Sequence, residues 1–195
     1  QLQARFIYNN QDDSVIEVPD GMGGTDTIVN TDDKDRWGFE NTRTKLIFSG
    51  NVAGPQWGYY VEGNFAREGG SFDLEDAYVT YDAGNGWSIT MGQFKQPLNR
   101  EFLVHSADQL LIERSNISYL YNQGRTQGVK FGYASDQWRF HAAPMNDGVS
   151  TANTAWSTRD YEYSFTGRFE FMFSGNWGQF DDFTSKRGSE FGALI

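Results

Sequence analysis

The sequence predicts an all-β fold, an antiparallel transmembrane β-barrel, and three observations carry that prediction. Polar and apolar residues alternate along most of the chain, the period of a strand with two unlike faces. The links between the alternating stretches are by turns short and long. Mean hydropathy is negative and apolar runs are short, Leu46-Ile47-Phe48 being typical, so no helix of this chain is expected to span a bilayer.

A first strand is placed at residues 2–9. In 36–49, Thr42, Thr44, Leu46 and Phe48 form one face and Arg43 and Lys45 the other, with Ile47 breaking the rule. In 57–66, Trp57, Tyr59, Val61, Gly63 and Phe65 oppose Gly58, Tyr60, Glu62, Asn64 and Ala66; in 72–82, Ala77, Val79 and Tyr81 oppose Asp76, Tyr78, Thr80 and Asp82. Ala83-Gly84-Asn85-Gly86 turns the chain into 87–96, where Trp87, Ile89 and Met91 face away from Ser88, Thr90 and Gly92. Strict alternation would then put Gln93 and Lys95 on the apolar face, so a bulge near Gly92 or an early strand end is expected.

Residues 125–134 set Gln127, Val129, Phe131 and Tyr133 against Thr126, Gly128, Lys130 and Gly132. After the tight Ser135-Asp136 turn, 137–143 set Trp138, Phe140 and Ala142 against Gln137, Arg139 and His141, completing a hairpin. The longest pattern is 160–173, with Tyr161, Tyr163, Phe165, Gly167, Phe169, Phe171 and Phe173 on one face and Asp160, Glu162, Ser164, Thr166, Arg168, Glu170 and Met172 on the other. A ninth strand is expected from Trp177, and Gly192-Ala193-Leu194-Ile195 reads as the entry to another. About eight to ten strands are therefore expected. Helical spacing is weak except over Ser106 to Glu113, where one or two turns are expected.

Links 50–56, 83–86, 135–136 and 174–176 are short, whereas 9–35, 97–124 and 144–158 are long and polar; the brief 67–71 link is the exception. A soluble sandwich has no need of this asymmetry, but a barrel standing in a membrane has turns at one rim and loops at the other. Closed sheets alone satisfy every backbone group in hydrocarbon. Trp57, Trp87, Trp138 and Trp177 each follow a short turn, where an interfacial aromatic belt would set them.

Composition narrows the chemistry. With 16 Lys and Arg against 26 Asp and Glu, the formal charge is −10, which argues against nucleic acid as a partner. Cysteine is absent and the two histidines, His105 and His141, stand without a Ser or Cys constellation, so thiolate metal sites and His-centred nucleophile chemistry drop out. Neither Asp32-Asp33-Lys34-Asp35 nor Asp181-Asp182 has the spacing of a dedicated calcium loop. No metal, cofactor or enzymatic activity is expected. The 195 residues read as one barrel domain without a linker, and the absence of an initial methionine at Gln1 reads as a processed or partial chain.

Several ordered motifs give the chain a likeness to a known family. Trp37-Gly38-Phe39 precedes Arg43-Thr44-Lys45-Leu46 and Phe48-Ser49-Gly50. Leu74-Glu75-Asp76-Ala77-Tyr78-Val79-Thr80-Tyr81 follows, then Met91-Gly92-Gln93-Phe94-Lys95-Gln96-Pro97 with Glu101, then Glu113-Arg114-Ser115 and Gly124-Arg125-Thr126-Gln127-Gly128-Val129. In order and spacing they resemble the bacterial outer-membrane porins of the phosphate-selective porin O and P type. The resemblance implies a sixteen-stranded, homotrimeric barrel in the outer membrane that passes small hydrophilic solutes, anions being favoured in its named members. Since too few strands are present for that barrel, the chain reads as the N-terminal part of a longer porin. Members known for phosphate carry denser arginine and lysine arrays, so phosphate specificity is not carried over.

In porins generally a long loop after the fifth strand folds into the lumen, which makes 97–124 the candidate pore-constricting loop. Lys95, Arg100, Glu101, Arg114 and Arg125 are its candidate constriction residues. From Lys95 to Arg139 six basic residues face four acidic ones, +2, leaving −12 for the rest of the chain. Eight acidic residues fall in 1–35 beside Arg5 and Lys34. A basic waist beneath an acidic rim suits an anion filter, in which guanidinium groups replace part of an anion's hydration. Arg43, Lys45, Glu62, Asp76, Lys130, Arg139 and Arg168 have the parity of pore-lining residues, and cross-strand pairing of these cations with Glu62, Asp76, Glu162 and Glu170 is the structural alternative. Two rival functions stand beside passive transport: a soluble β-sandwich binding carbohydrate through Trp37, Trp156 and Tyr161, and a structural envelope barrel that conducts nothing.

Overall fold

A computed structural model of the chain describes residues 2–9, 14–19, 25–30, 36–66, 68–111, 113–146, 153–154, 163–184 and 187–195. Trp156, Tyr161, Glu162, the acidic run 32–35 and positions 160–162 of the longest expected strand lie outside them. The described chain forms two compact units.

The smaller unit holds β1 (Leu2–Asn9), antiparallel to the first part of β4 (Arg36–Asn51), with one register shift between Gln3 and Ala4. It also holds a second hairpin, β2 (Ser14–Pro19) and β3 (Thr25–Asn30), paired from Ser14↔Asn30 to Pro19↔Thr25. The stretch 9–35, expected as a long polar link, thus contains a hairpin. The β-branched residues Val15, Ile16, Val18, Ile28 and Val29 are the local signal for the hairpin.

The larger unit begins at Lys45 within β4 and holds β5 (Trp57–Phe65) up to Asn64, then β6 (Phe72–Gly84), β7 (Trp87–Lys95), β8 (Arg125–Ala134), β9 (Trp138–Asn146), β10 (Tyr163–Ser174) and β11 (Ala193–Leu194); Phe65–Ser71 count with the smaller unit. Each strand is hydrogen-bonded to its neighbour in chain order, and the pairs whose register is defined are antiparallel. Two short helices, α1 (Arg100–Leu103) and α2 (Asn116–Tyr121), lie in the long connection between β7 and β8. No helix among the described residues is long and apolar enough to cross a membrane.

The two faces of this sheet are inverted relative to a water-soluble protein. Large apolar side chains point outward and are exposed, among them Met91 and Phe169 at 62% and Phe165 at 68%. Charged and polar side chains are covered instead, with Glu62 at 1%, Asp76 at 4% and Lys45 at 8% exposure. The apolar core is one small cluster, Phe94, Ala143 and Met145 with Tyr78 against it. Near the short turns, Trp87 packs on Tyr133 (4.8 Å between ring centroids), Tyr133 on Trp138 (4.6 Å) and Trp138 on Phe169 (6.3 Å), a continuous aromatic band across β7 to β10.

Four expectations are corrected. The helix expected over Ser106 to Glu113 is absent from the described residues there, which form turns and bends; the helical turns lie on either side, capped by Asn99 and Ser115. The ninth strand expected from Trp177 is a 3-10 helix, Trp177–Phe180, because Asn176 and Gln179 form a reciprocal capping box. Trp177 therefore leaves the aromatic belt, and its indole N–H donates to the Ser135 carbonyl at 2.8 Å. No bulge interrupts the pairing at Gly92: β7 stays in register on both sides and runs to Lys95, with the irregularity between Asp82 and Gly84. Gly92 instead takes φ 133°, and a Cβ there would meet the Ala77 carbonyl oxygen at 2.3 Å. Gln93 is consequently buried, its carboxamide donating to the carbonyls of Leu74 (3.2 Å) and Glu75 (2.7 Å). β9 also outruns its expected end, continuing through Pro144 to Asn146.

Candidate functional site

Parity on neighbouring strands of the larger unit brings an ion-pair knot together on the polar face. Lys45 on β4 donates to Glu62 on β5 at 2.6 Å and also bonds Glu75 on β6. Arg125, at the start of β8, donates to Glu75 at 2.8 Å and Asp76 at 3.0 Å, with Glu62 at 3.8 Å. The oxygens of Glu62, Glu75 and Asp76 come within 4.8 Å of one another, close enough to share a cation, and the Lys45 ammonium and Arg125 guanidinium are the cations they share. Buried charge this dense is tolerable only when each member is answered.

The connection 97–124 is built over this knot and held by side chains. Its stem closes where the Gln96 N–H donates to the Gly124 carbonyl at 3.1 Å. The N–H of Ala107 donates to Nδ1 of His105, leaving Nε2 as the protonated nitrogen, 3.2 Å from Glu62 on the wall. Arg168 on β10 donates to the Leu98 carbonyl at 2.7 Å, and Lys95 Nζ lies 3.5 Å from the Leu103 carbonyl. Phe102 of α1 sits among cations, with Lys95 and Arg114 each 5.4 Å and Arg125 5.8 Å from its ring.

The sequence-predicted constriction residues divide by task. Arg114 donates to the carbonyls of Glu101 and Val104, both at 3.1 Å, and the Glu101 carboxylate accepts from the Ser115 N–H (2.7 Å) and hydroxyl (2.5 Å), so this pair braces the loop. Arg125 belongs to the knot. Arg100 donates to the Phe180 carbonyl at 2.7 Å and lies 5.4 Å from the Phe180 and Phe183 rings; desolvation there pulls its pKa below the usual arginine value. Lys95 remains directed at the loop, with no carboxylate within ion-pair distance among the described residues.

The pore-lining candidates divide as well. Lys45, Glu62 and Asp76 are in the knot, Arg168 pairs with Glu170 at 2.6 Å, and Arg43 lies in the smaller unit, donating to Gln3 at 3.0 Å. Lys130 lies 5.2 Å from the Phe94 ring and Arg139 4.1 Å from the Trp177 ring, and neither has an ion pair among the described residues. Sequence reasoning missed Glu75, which shares the alternation of Ala77 and Val79 on the apolar face but turns to meet Lys45 and Arg125. It also missed His105 as the loop-to-wall contact. The one signal for Glu75 was its place beside Asp76 in a motif with two adjacent acids.

Two of the cavities beside the loop are lined by charged residues of the strands. One, of about 280 Å³, is lined by Glu62, Asp76, Phe94, Lys95, His105 and Lys130. The other, of about 390 Å³, brings Arg100 and Asp108 of the loop to Arg139 on β9, Arg168 and Glu170 on β10, and Asp181.

An antiparallel sheet with apolar side chains outward, charged side chains covered and a structured loop tied to the charged face is the wall of a porin-type channel. The family model of the phosphate-selective porins O and P matches residues 21–184, and the chain belongs to that family of outer-membrane proteins. No curated protein and no solved structure matches the chain.

Proposed function

We propose that the protein is a passive channel, a water-filled barrel through which small hydrophilic solutes diffuse down their gradients with anions favoured. Residues 97–124 form the constriction, and the channel assembles as a homotrimer, a state inferred from the family alone. The observation that carries this reading is the inverted burial: phenylalanines exposed above 60% on the face where buried charge would be intolerable, and a carboxylate 1% exposed on the other. A carbohydrate-binding sandwich would cover those rings with a second layer, and among the described residues none covers Phe165, Phe169 or Phe173.

Anion preference rests on three strand cations without an ion pair among the described residues, Lys95, Lys130 and Arg139, rather than on every basic residue of the wall. Several weak sites pass an ion better than one tight site. In planar bilayers the protein is expected to give stepwise currents whose reversal potential under a salt gradient favours anions. Detergent-free solubility, or absence of current, would overturn the reading, the second outcome pointing to a structural barrel. Light scattering in detergent checks the trimer.

A further inference from the structure

We propose that the cavity between the loop and strands β9 and β10 takes small zwitterionic solutes of the class of neutral α-amino acids. This rests on the channel reading above and adds a solute class to it. At about 390 Å³ the cavity lies within the range of small-molecule sites, about 300 to 1,000 Å³.

Its charge is of both signs. Arg168 and Glu170 neutralise each other at 2.6 Å. That leaves Arg100 and Arg139 as cations and Asp108 and Asp181 as anions, and none of these four has an ion pair within 4.0 Å among the described residues. Their sum is zero. A simple anion entering here gains two guanidinium groups and meets two carboxylates, which largely cancel. A solute carrying a carboxylate and an ammonium group answers both pairs at once.

The two guanidinium groups are also held in place. The Arg139 guanidinium lies 4.1 Å from the ring of Trp177, whose indole is tied to the Ser135 carbonyl. Arg100 is bonded to the Phe180 carbonyl, and the backbone of Asp181 closes the 3-10 helix, its N–H donating to the Gly178 carbonyl at 3.4 Å. Side chains already ordered lose little further entropy when a solute binds. Both aspartates are exposed, so their attraction is screened and the solute leaves as readily as it enters.

The test uses the protein reconstituted into liposomes and follows uptake of labelled serine, lactate and erythritol, with serine and lactate rates divided by the erythritol rate to cancel differences in the amount of folded channel. In the double variant D108N/D181N, serine uptake is expected to fall about threefold while lactate uptake rises. In Arg139→Gln both are expected to fall. Serine that follows lactate upward in D108N/D181N, or is unchanged in both variants, overturns the inference while leaving the channel intact. Vesicles that pass none of the three solutes and carry no current overturn the channel reading itself.

Discussion

The ion-pair knot of β4 to β6 and β8, and the arginine-walled cavity of β9 and β10, use the same residue types on the same face of one sheet. In the knot each charge is answered within 4 Å, and Glu62 is 1% exposed. In the cavity Arg139, Asp108 and Asp181 have no ion pair among the described residues, and both aspartates are open to solvent. Burial and pairing, not residue identity, separate charge that holds a wall together from charge that a solute can feel. Breaking one member of a covered pair strands its partner, whereas removing an open charge changes only the field.

The largest expected effect is therefore in the knot. Glu62→Gln leaves Lys45 with one fewer carboxylate in a covered site and is expected to cost about 3 kcal/mol or more, measured by urea unfolding in lipid vesicles. A loss below about 1 kcal/mol would erase the distinction between the two regions. Next comes Phe169→Arg, near the middle of β10 on the outward face, expected to cost about 2–4 kcal/mol in the same assay. A neutral result there would mean that lipid does not touch that face.

Selectivity sharpens the contrast further. Replacing Lys95, Lys130 and Arg139 together by alanine is expected to shift the reversal potential toward cations. Replacing Arg100, Arg114 and Arg125 is expected to shift it in the same direction but less, and to lower stability, since Arg125 joins the knot and Arg114 braces the loop. Equal shifts without a stability difference would show that pairing does not decide which charges a solute feels. The smallest effect is at Asp181→Asn, within about 0.5 kcal/mol of the unsubstituted protein by unfolding, with a reversal potential that moves slightly toward anions.

Much of the sheet was readable because water on one side and lipid on the other impose a two-residue period. Tyr163, Phe165, Phe169 and Phe173 alternate in exposure with Ser164, Thr166, Arg168 and Glu170 as the sequence implied. The loop was less readable. Spacing over Ser106 to Glu113 suggested one or two helical turns, but Gln109 and Arg114 instead satisfy the carbonyls of Glu101 and Val104, side-chain bonds 5 to 13 residues apart that no local period encodes. Trp177 misled for a different reason: its resemblance to the other post-turn tryptophans outweighed the Asn176–Gln179 capping signal. The knot was half visible, since parity placed Lys45, Glu62 and Asp76 together, while Glu75 and His105 needed the fold to arrive. Which cations stay unanswered is a property of three dimensions alone.

The bond from Gln96 to Gly124 joins the feet of the loop at the ends of two adjacent strands, and Lys95 and Arg125 face each other directly below it. The pairing of β7 with β8 is thus complete up to the foot of the loop. The intervening stretch is a cassette seated on a closed stem: evolution, or an engineer, can exchange it without asking β7 and β8 to find a new register.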